Sequence, residues 1–133
     1  MAKGKEEHEA RLAALQRFGK DLARRAKSKC ELCETAGERL TIYELPPVTR
    51  EPDFDRCVLL CASCHEQASD PRRFRPGAHW RFLESQAWSL EPVVQVLAIR
   101  LLRRLASRED WARVALESLD LDEATEALVT EAE

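Results

Sequence analysis

The chain has 133 residues, 21 Lys/Arg against 24 Asp/Glu, and a formal net charge of -3. That length fits one domain, or one domain with appendages, and buries only a modest core. Residues 1–8 hold no apolar signal stretch, and no run of 18 apolar residues occurs anywhere. Both features exclude a spanning helix and set the expectation of a soluble, cytoplasmic protein with no membrane partner.

Charge is arranged in blocks. Basic side chains outnumber acidic ones by 9 to 4 in residues 1–29, acidic outnumber basic by 9 to 3 in 30–70, basic again by 9 to 4 in 71–113, and 114–133 holds 7 acids and no Lys or Arg. Two arrangements follow: a basic face beside an acidic lobe, or blocks that neutralise one another in the fold.

In chain order, Leu12, Leu15, Phe18 and Leu22 recur at three- and four-residue steps and predict one amphipathic helix over 5–28. Gly19 marks a bend or a close packing point within it. Lys20, Arg24, Arg25, Lys27 and Lys29 crowd its end. They suit either the negative end of the helix dipole or a phosphate-binding surface. Residues 40–45 and 57–60 are β-rich and predict a hairpin, with Pro46-Pro47 ending the first strand. A short helix is expected over 62–69, then a loop carrying Arg72, Arg73 and Arg75, then a helix over 78–87 with His79, Trp80, Phe82 and Leu83. Ser89 reads as the N-cap of the most apolar helix, which runs through Leu105. Its apolar residues cover more than one face, so it is either central or a self-association surface over 91–107. Ser107 to Asp110 resembles a capping box for the next helix, and an acidic last helix over 122–131 is expected to fray.

The strongest chemical signal is a pair of knuckles, Cys30-Glu31-Leu32-Cys33 and Cys61-Ala62-Ser63-Cys64. Two thiolates two residues apart on a tight turn reach one ion, and two such turns complete a tetrahedral four-thiolate site for a single structural Zn2+. Disulfides or buried free thiols are the competing readings, and the former are rare in a reducing compartment. The fifth cysteine, Cys57, lies in the apolar second strand and reads as a core residue. The expected fold class is α+β and mostly helical: a first helix over 1–29, a four-cysteine lobe with a small hairpin over 30–70, and a helical region with an acidic tail over 71–133. Four to five helices are expected to pack with the lobe.

Knuckle, hairpin, knuckle and short helix over 30–69 resemble the HNH endonuclease motif built on a treble clef. In that family the first strand ends in a histidine-containing pair whose second member is the general base, an asparagine precedes the second strand, and a histidine follows the last cysteine. Here Tyr43 and Glu44 stand at the pair, Arg56 at the asparagine, and His65 is kept, while Ser69 stands where a further histidine often lies. The departures fall on the chemistry and leave the cysteine scaffold intact, which implies an inactive HNH-like lobe. A second resemblance, over roughly residues 28–122, is to the N-terminal region of PhnA-type proteins, a family named for an alkylphosphonate-utilisation operon. It rests on the knuckles, Thr41 to Pro47, His79-Trp80-Arg81, Ala87-Trp88-Ser89, Val94-Gln95-Val96, Arg100 to Leu105 and Trp111-Ala112.

These readings converge on a non-catalytic zinc-binding module or adaptor with a nucleic-acid or protein partner. Candidate phosphate contacts are Arg24, Arg25, Lys27, Arg72, Arg73 and Arg75, with Trp80 and Trp88 either stacking on bases or buried in the core. The alternatives are a divergent metal-dependent HNH nuclease, in which Glu44 and His65 together hold a divalent ion, and a phosphonate-metabolism enzyme. A closed four-thiolate site offers the latter neither an open metal position nor an activated nucleophile.

Overall fold

The computed structural model describes residues 2–132 and is α+β. Its elements are helices α1 (Ala2–Gln16) and α2 (Gly19–Ala26), strand β1 (Leu40–Glu44), a 3-10 turn (Phe54–Arg56), strand β2 (Cys57–Cys61), helix α3 (Ala62–Ser69), a second 3-10 turn (Ala78–Trp80), and helices α4 (Leu83–Gln86), α5 (Pro92–Leu105), α6 (Asp110–Glu117) and α7 (Glu123–Ala132). The predicted hairpin and the helix after the second knuckle are present. Seven α-helices replace the expected four to five.

The first helix is two. It breaks at Arg17 and Phe18, and α2 restarts on Gly19, whose missing Cβ would meet nothing within 4 Å. The glycine therefore marks a bend and no close contact. Lys27 and Ser28 end α2 in left-handed conformations at φ 56° and 59°, with the Lys27 N–H closing on the carbonyls of Ala23 and Arg24. The single helix over 78–87 is also replaced, by the 3-10 turn and the one-turn α4. Pro92 forces its predecessor out of the helical region, so Glu91 and not Ser89 is the N-cap of α5. Ser89 Oγ instead accepts the Glu91 N–H at 3.1 Å in the turn before it. The capping box at 107–110 does not form: Glu109 precedes α6 without a side-chain cap, and its carboxylate accepts from Trp111 Nε1 at 3.1 Å.

The two strands pair antiparallel, with Leu40 opposite Cys61, Ile42 opposite Leu59 and Glu44 opposite Cys57. Alternation puts those six side chains on one face and Thr41, Tyr43, Val58 and Leu60 on the other. All five β2 residues are buried because both faces are covered. Leu15, Leu22, Cys57 and Leu59 form a small core under α1 and α2. Val58, Leu60 and Tyr43 join the larger core built around α5.

Helix α5 is the centre of that larger core. Val93, Val94, Val96, Leu97, Ala98, Ile99, Leu101, Leu102 and Leu105 are all buried within the chain, against α4, β2, α6 and α7. Its second apolar face is thus used internally and is not left open for a second copy. The acidic last helix does not fray; Val129 and Ala132 are fully buried and Glu126 accepts from Arg103 at 2.6 Å. Charge blocks therefore meet and offset one another, as also in Arg11 with Glu44 and Arg25 with Glu31. No helix among the described residues is long and apolar enough to cross a membrane.

Candidate metal centre

The Sγ atoms of Cys30, Cys33, Cys61 and Cys64 all lie within 4.8 Å of one another, and Cys33 Sγ to Cys61 Sγ is 3.8 Å. Four thiolates at about 2.3 Å from a tetrahedral ion sit about 3.8 Å apart, so the cluster has the dimensions of a closed four-sulfur site. Among the described residues no other group of three or more His, Cys, Asp or Glu has that proximity. Two turns make it. In the first, the backbone N–H groups of Leu32 and Cys33 point at Cys30 Sγ; in the second, β2 runs into α3 at Cys61 and the Cys64 N–H points at Cys61 Sγ. Amide donors aimed at sulfur favour the thiolate, the form that ligates a metal. A hydrogen bond from Cys64, reinforced by these amides, holds Cys30 down to about 4, and the same bond pushes the Cys64 thiol up. The first knuckle's amides thus favour the thiolate form that a cation site requires of its donors.

The first knuckle is anchored to the sheet by a residue that spacing alone does not single out. Glu31 N donates to the Leu59 carbonyl at 2.8 Å, and its Oε1 accepts the Leu59 N–H at 2.9 Å. A single residue thereby serves both main-chain groups that β2 presents on its outer edge at Leu59. Arg25, from α2, clamps the same carboxylate through Nε at 2.9 Å and Nη2 at 2.7 Å, and also donates to the Cys57 carbonyl at 2.8 Å. Its guanidinium lies 5.4 Å from the Phe54 ring centroid. The pair is well buried, with side-chain exposures of 14% for Arg25 and 5% for Glu31. Arg25 is therefore a structural clamp and is not open to phosphate.

The remaining basic candidates are dispersed. Arg24 is exposed near Asp21, and Lys27 is exposed at the end of α2. Arg72 pairs with Asp70, and Arg73 with Glu66 and Asp70. Arg75 is exposed, with its backbone N–H bound to Gln67 Oε1. Helix α2 covers one face of the hairpin and the loop after α3 joins the core on the other, so the two groups do not form a single basic patch. Trp80 is buried and donates to the Arg75 carbonyl at 2.9 Å, whereas Trp88 is 57% exposed.

The positions matched to the HNH motif are individually engaged. Glu44 is held by Arg11, with Nε at 3.1 Å from Oε2, on the α1–α2 face. Tyr43 faces the other way, 5.8 Å from the His65 ring in an edge-on contact, and its hydroxyl accepts from Arg100 at 2.7 Å. His65 Nε2 lies 3.3 Å from the Ile42 carbonyl and Nδ1 3.3 Å from Ser69 Oγ. Because neighbouring strand residues point to opposite faces, Glu44 and His65 do not come together to hold one ion. Arg56 donates to the Leu45 carbonyl at 3.0 Å and closes the hairpin end, with its Nε buried and unpartnered.

Cys57 is a core residue, as its place in the apolar strand predicts. It is fully buried, its Sγ lies 3.3 Å from the Asp53 carbonyl it donates to, and burial together with Glu44 and Asp53 pushes its thiol up from 9.0 to about 11. Above pH 9 the unfolded thiol loses its proton while the folded one keeps it. This contribution is complete below pH 9 and declines as pH rises toward 11, by about 2 kcal/mol in all. Urea titrations of the wild type and Cys57→Ala at pH 8 and pH 11 should therefore show a steeper loss for the wild type. Equal losses would mean that the thiol is not desolvated.

Comparisons with protein-family models, with curated proteins and with solved structures gave no match.

Proposed function

We propose that the chain is a small zinc protein whose four-thiolate site is structural and whose role is to present a binding surface to a nucleic-acid or protein partner. The observation that carries this reading is the cluster of Cys30, Cys33, Cys61 and Cys64, tied through Glu31 to the sheet at the centre of the fold. Four sulfurs close the coordination sphere and leave no open position for a substrate or a water, so the metal's contribution is to folding. The disposition of knuckle, hairpin, knuckle and helix suits a treble clef of HNH type, and the motifs over 28–122 that resemble PhnA-type proteins suit a PhnA-like relationship. Nuclease or phosphonate chemistry has weaker support, since Tyr43, Glu44, Arg56 and His65 are each bound to a structural neighbour.

Metal analysis of the protein purified without added zinc is expected to give one Zn2+ per chain, and none in Cys61→Ser. Binding of the loaded chain to fluorescent single- and double-stranded DNA and RNA over a salt series then separates the partner classes. Phosphate contacts predict an affinity that falls steeply with salt, by roughly one counterion per contact. An affinity absent even at low salt assigns the surface to a protein partner. Cleavage of the oligonucleotides in added Mg2+ or Mn2+, lost in Glu44→Ala, would replace the non-catalytic reading with the nuclease one.

A further inference from the structure

Among the described residues, eight of the sixteen arginines of this chain end on a carboxylate: Arg11, Arg24, Arg25, Arg72, Arg73, Arg81, Arg103 and Arg113. Arg100 and Arg104, one helical turn apart on α5 and both half-buried, do not. Arg100 Nη1 donates to the neutral Tyr43 hydroxyl at 2.7 Å, and Arg104 Nη1 donates to the Gln67 carbonyl at 3.2 Å, with its guanidinium 5.0 Å from the Phe74 ring centroid. Residues four apart on a helix lie side by side, with Cβ atoms about 5–6 Å apart, so the two cations repel across a partly desolvated gap. Burial, and after it Arg100, pull the Arg104 guanidinium below its ordinary value. Such an arrangement is unfavourable for the fold alone; the neutral acceptors fix the orientation of the guanidiniums without cancelling their charge.

We infer that Arg100 and Arg104, oriented by Tyr43, Gln67 and Phe74, form a binding site for a phosphate group. Two guanidiniums retain several free N–H donors in planar forks, which match the oxygens of a tetrahedral oxyanion bidentately. A phosphate carrying one or two negative charges cancels the repulsion that no carboxylate of the described residues relieves. Arg75, one residue beyond Phe74, stands at the same corner, exposed and with its backbone held by Gln67. Arg73, on the other side of Phe74, is instead tied to Glu66 and Asp70. The phosphate belongs either to a free or monoester form or to a polynucleotide backbone; both present the same oxygens. The inference holds whichever partner class the salt series selects.

The test is an arginine Nε–Hε NMR titration of the zinc-loaded full chain at constant ionic strength, with inorganic phosphate in one arm and a short single-stranded oligodeoxynucleotide in the other. Saturable shifts of the Arg100 and Arg104 resonances are expected, and Arg104→Gln should weaken binding at least tenfold while Arg113→Gln, exposed and paired with Asp110, leaves it unchanged. Saturation by phosphate alone assigns the site to free phosphate or a monoester; much tighter saturation by the oligonucleotide assigns it to a nucleic-acid backbone. Should Arg104→Gln fail to fold, the wild-type titration still decides. The inference is overturned if neither ligand moves these two resonances, or if folded Arg104→Gln binds phosphate as the wild type does.

Discussion

Removing zinc from the loaded protein with a strong chelator at neutral pH is expected to abolish its cooperative unfolding transition. A structural zinc contributes on the order of 10 kcal/mol of apparent binding energy, and a domain of this kind has about 5–15 kcal/mol of total stability. Loss of the ion therefore consumes most or all of the margin. The effect should concentrate on the lobe at 30–69, because Cys30, Cys61 and Cys64 are 1–4% exposed and their sulfurs join the two knuckles. Thermal melts followed by near-ultraviolet circular dichroism, with metal content measured in parallel, check this. A metal-free sample that melts as the loaded one does would show that the cysteines are ordinary core residues.

Breaking the buried clamp is expected to be the largest single-residue effect outside the cysteines. Arg25→Met leaves the Glu31 carboxylate, 5% exposed, facing the Leu59 N–H with no counter-charge. Removing one partner of a buried ion pair costs about 3–5 kcal/mol, against about 0–1 kcal/mol for exposed pairs such as Arg24 with Asp21. With a urea dependence of about 1–3 kcal/mol per molar, the midpoint should fall by roughly 2 M. The double variant Arg25→Met with Glu31→Gln should recover part of this loss, because no charge then stays buried and the glutamine oxygen can still accept from Leu59. A shift in Arg25→Met no greater than that of Arg24→Met would show that the clamp is energetically silent.

How far the sequence foretold this arrangement depended on whether a residue's role was local. The knuckles follow from spacing, the strands from β-rich composition and α3 from its position after Cys61; each is decided within a few residues. The break at Arg17–Phe18 was signalled only by Gly19, and the start of α5 turned on Pro92 and not on Ser89. Arg25 was the furthest misread. Within its own helix it belongs to a basic run, and no helical spacing reveals that Glu31, beyond the helix end, and the Cys57 carbonyl on β2 wait for it. Glu31 is hidden for the same reason, since a position between two knuckle cysteines has no periodicity. The pairing of Arg100 with Tyr43 joins residues 57 apart, beyond the reach of any local pattern.

The seal along the outer side of β2 bears on assembly. A strand ordinarily offers its unpaired amides and carbonyls as a template for a strand from another molecule. Here the Leu59 amide and carbonyl are taken by Glu31 and the Cys57 carbonyl by Arg25, while on the far side of the hairpin His65 approaches the Ile42 carbonyl. An incoming peptide cannot extend this ribbon at β2 without first displacing a buried ion pair and the cysteine-bearing turn beside it. Growth by strand addition at β2 is thus closed as long as the first knuckle stays in place.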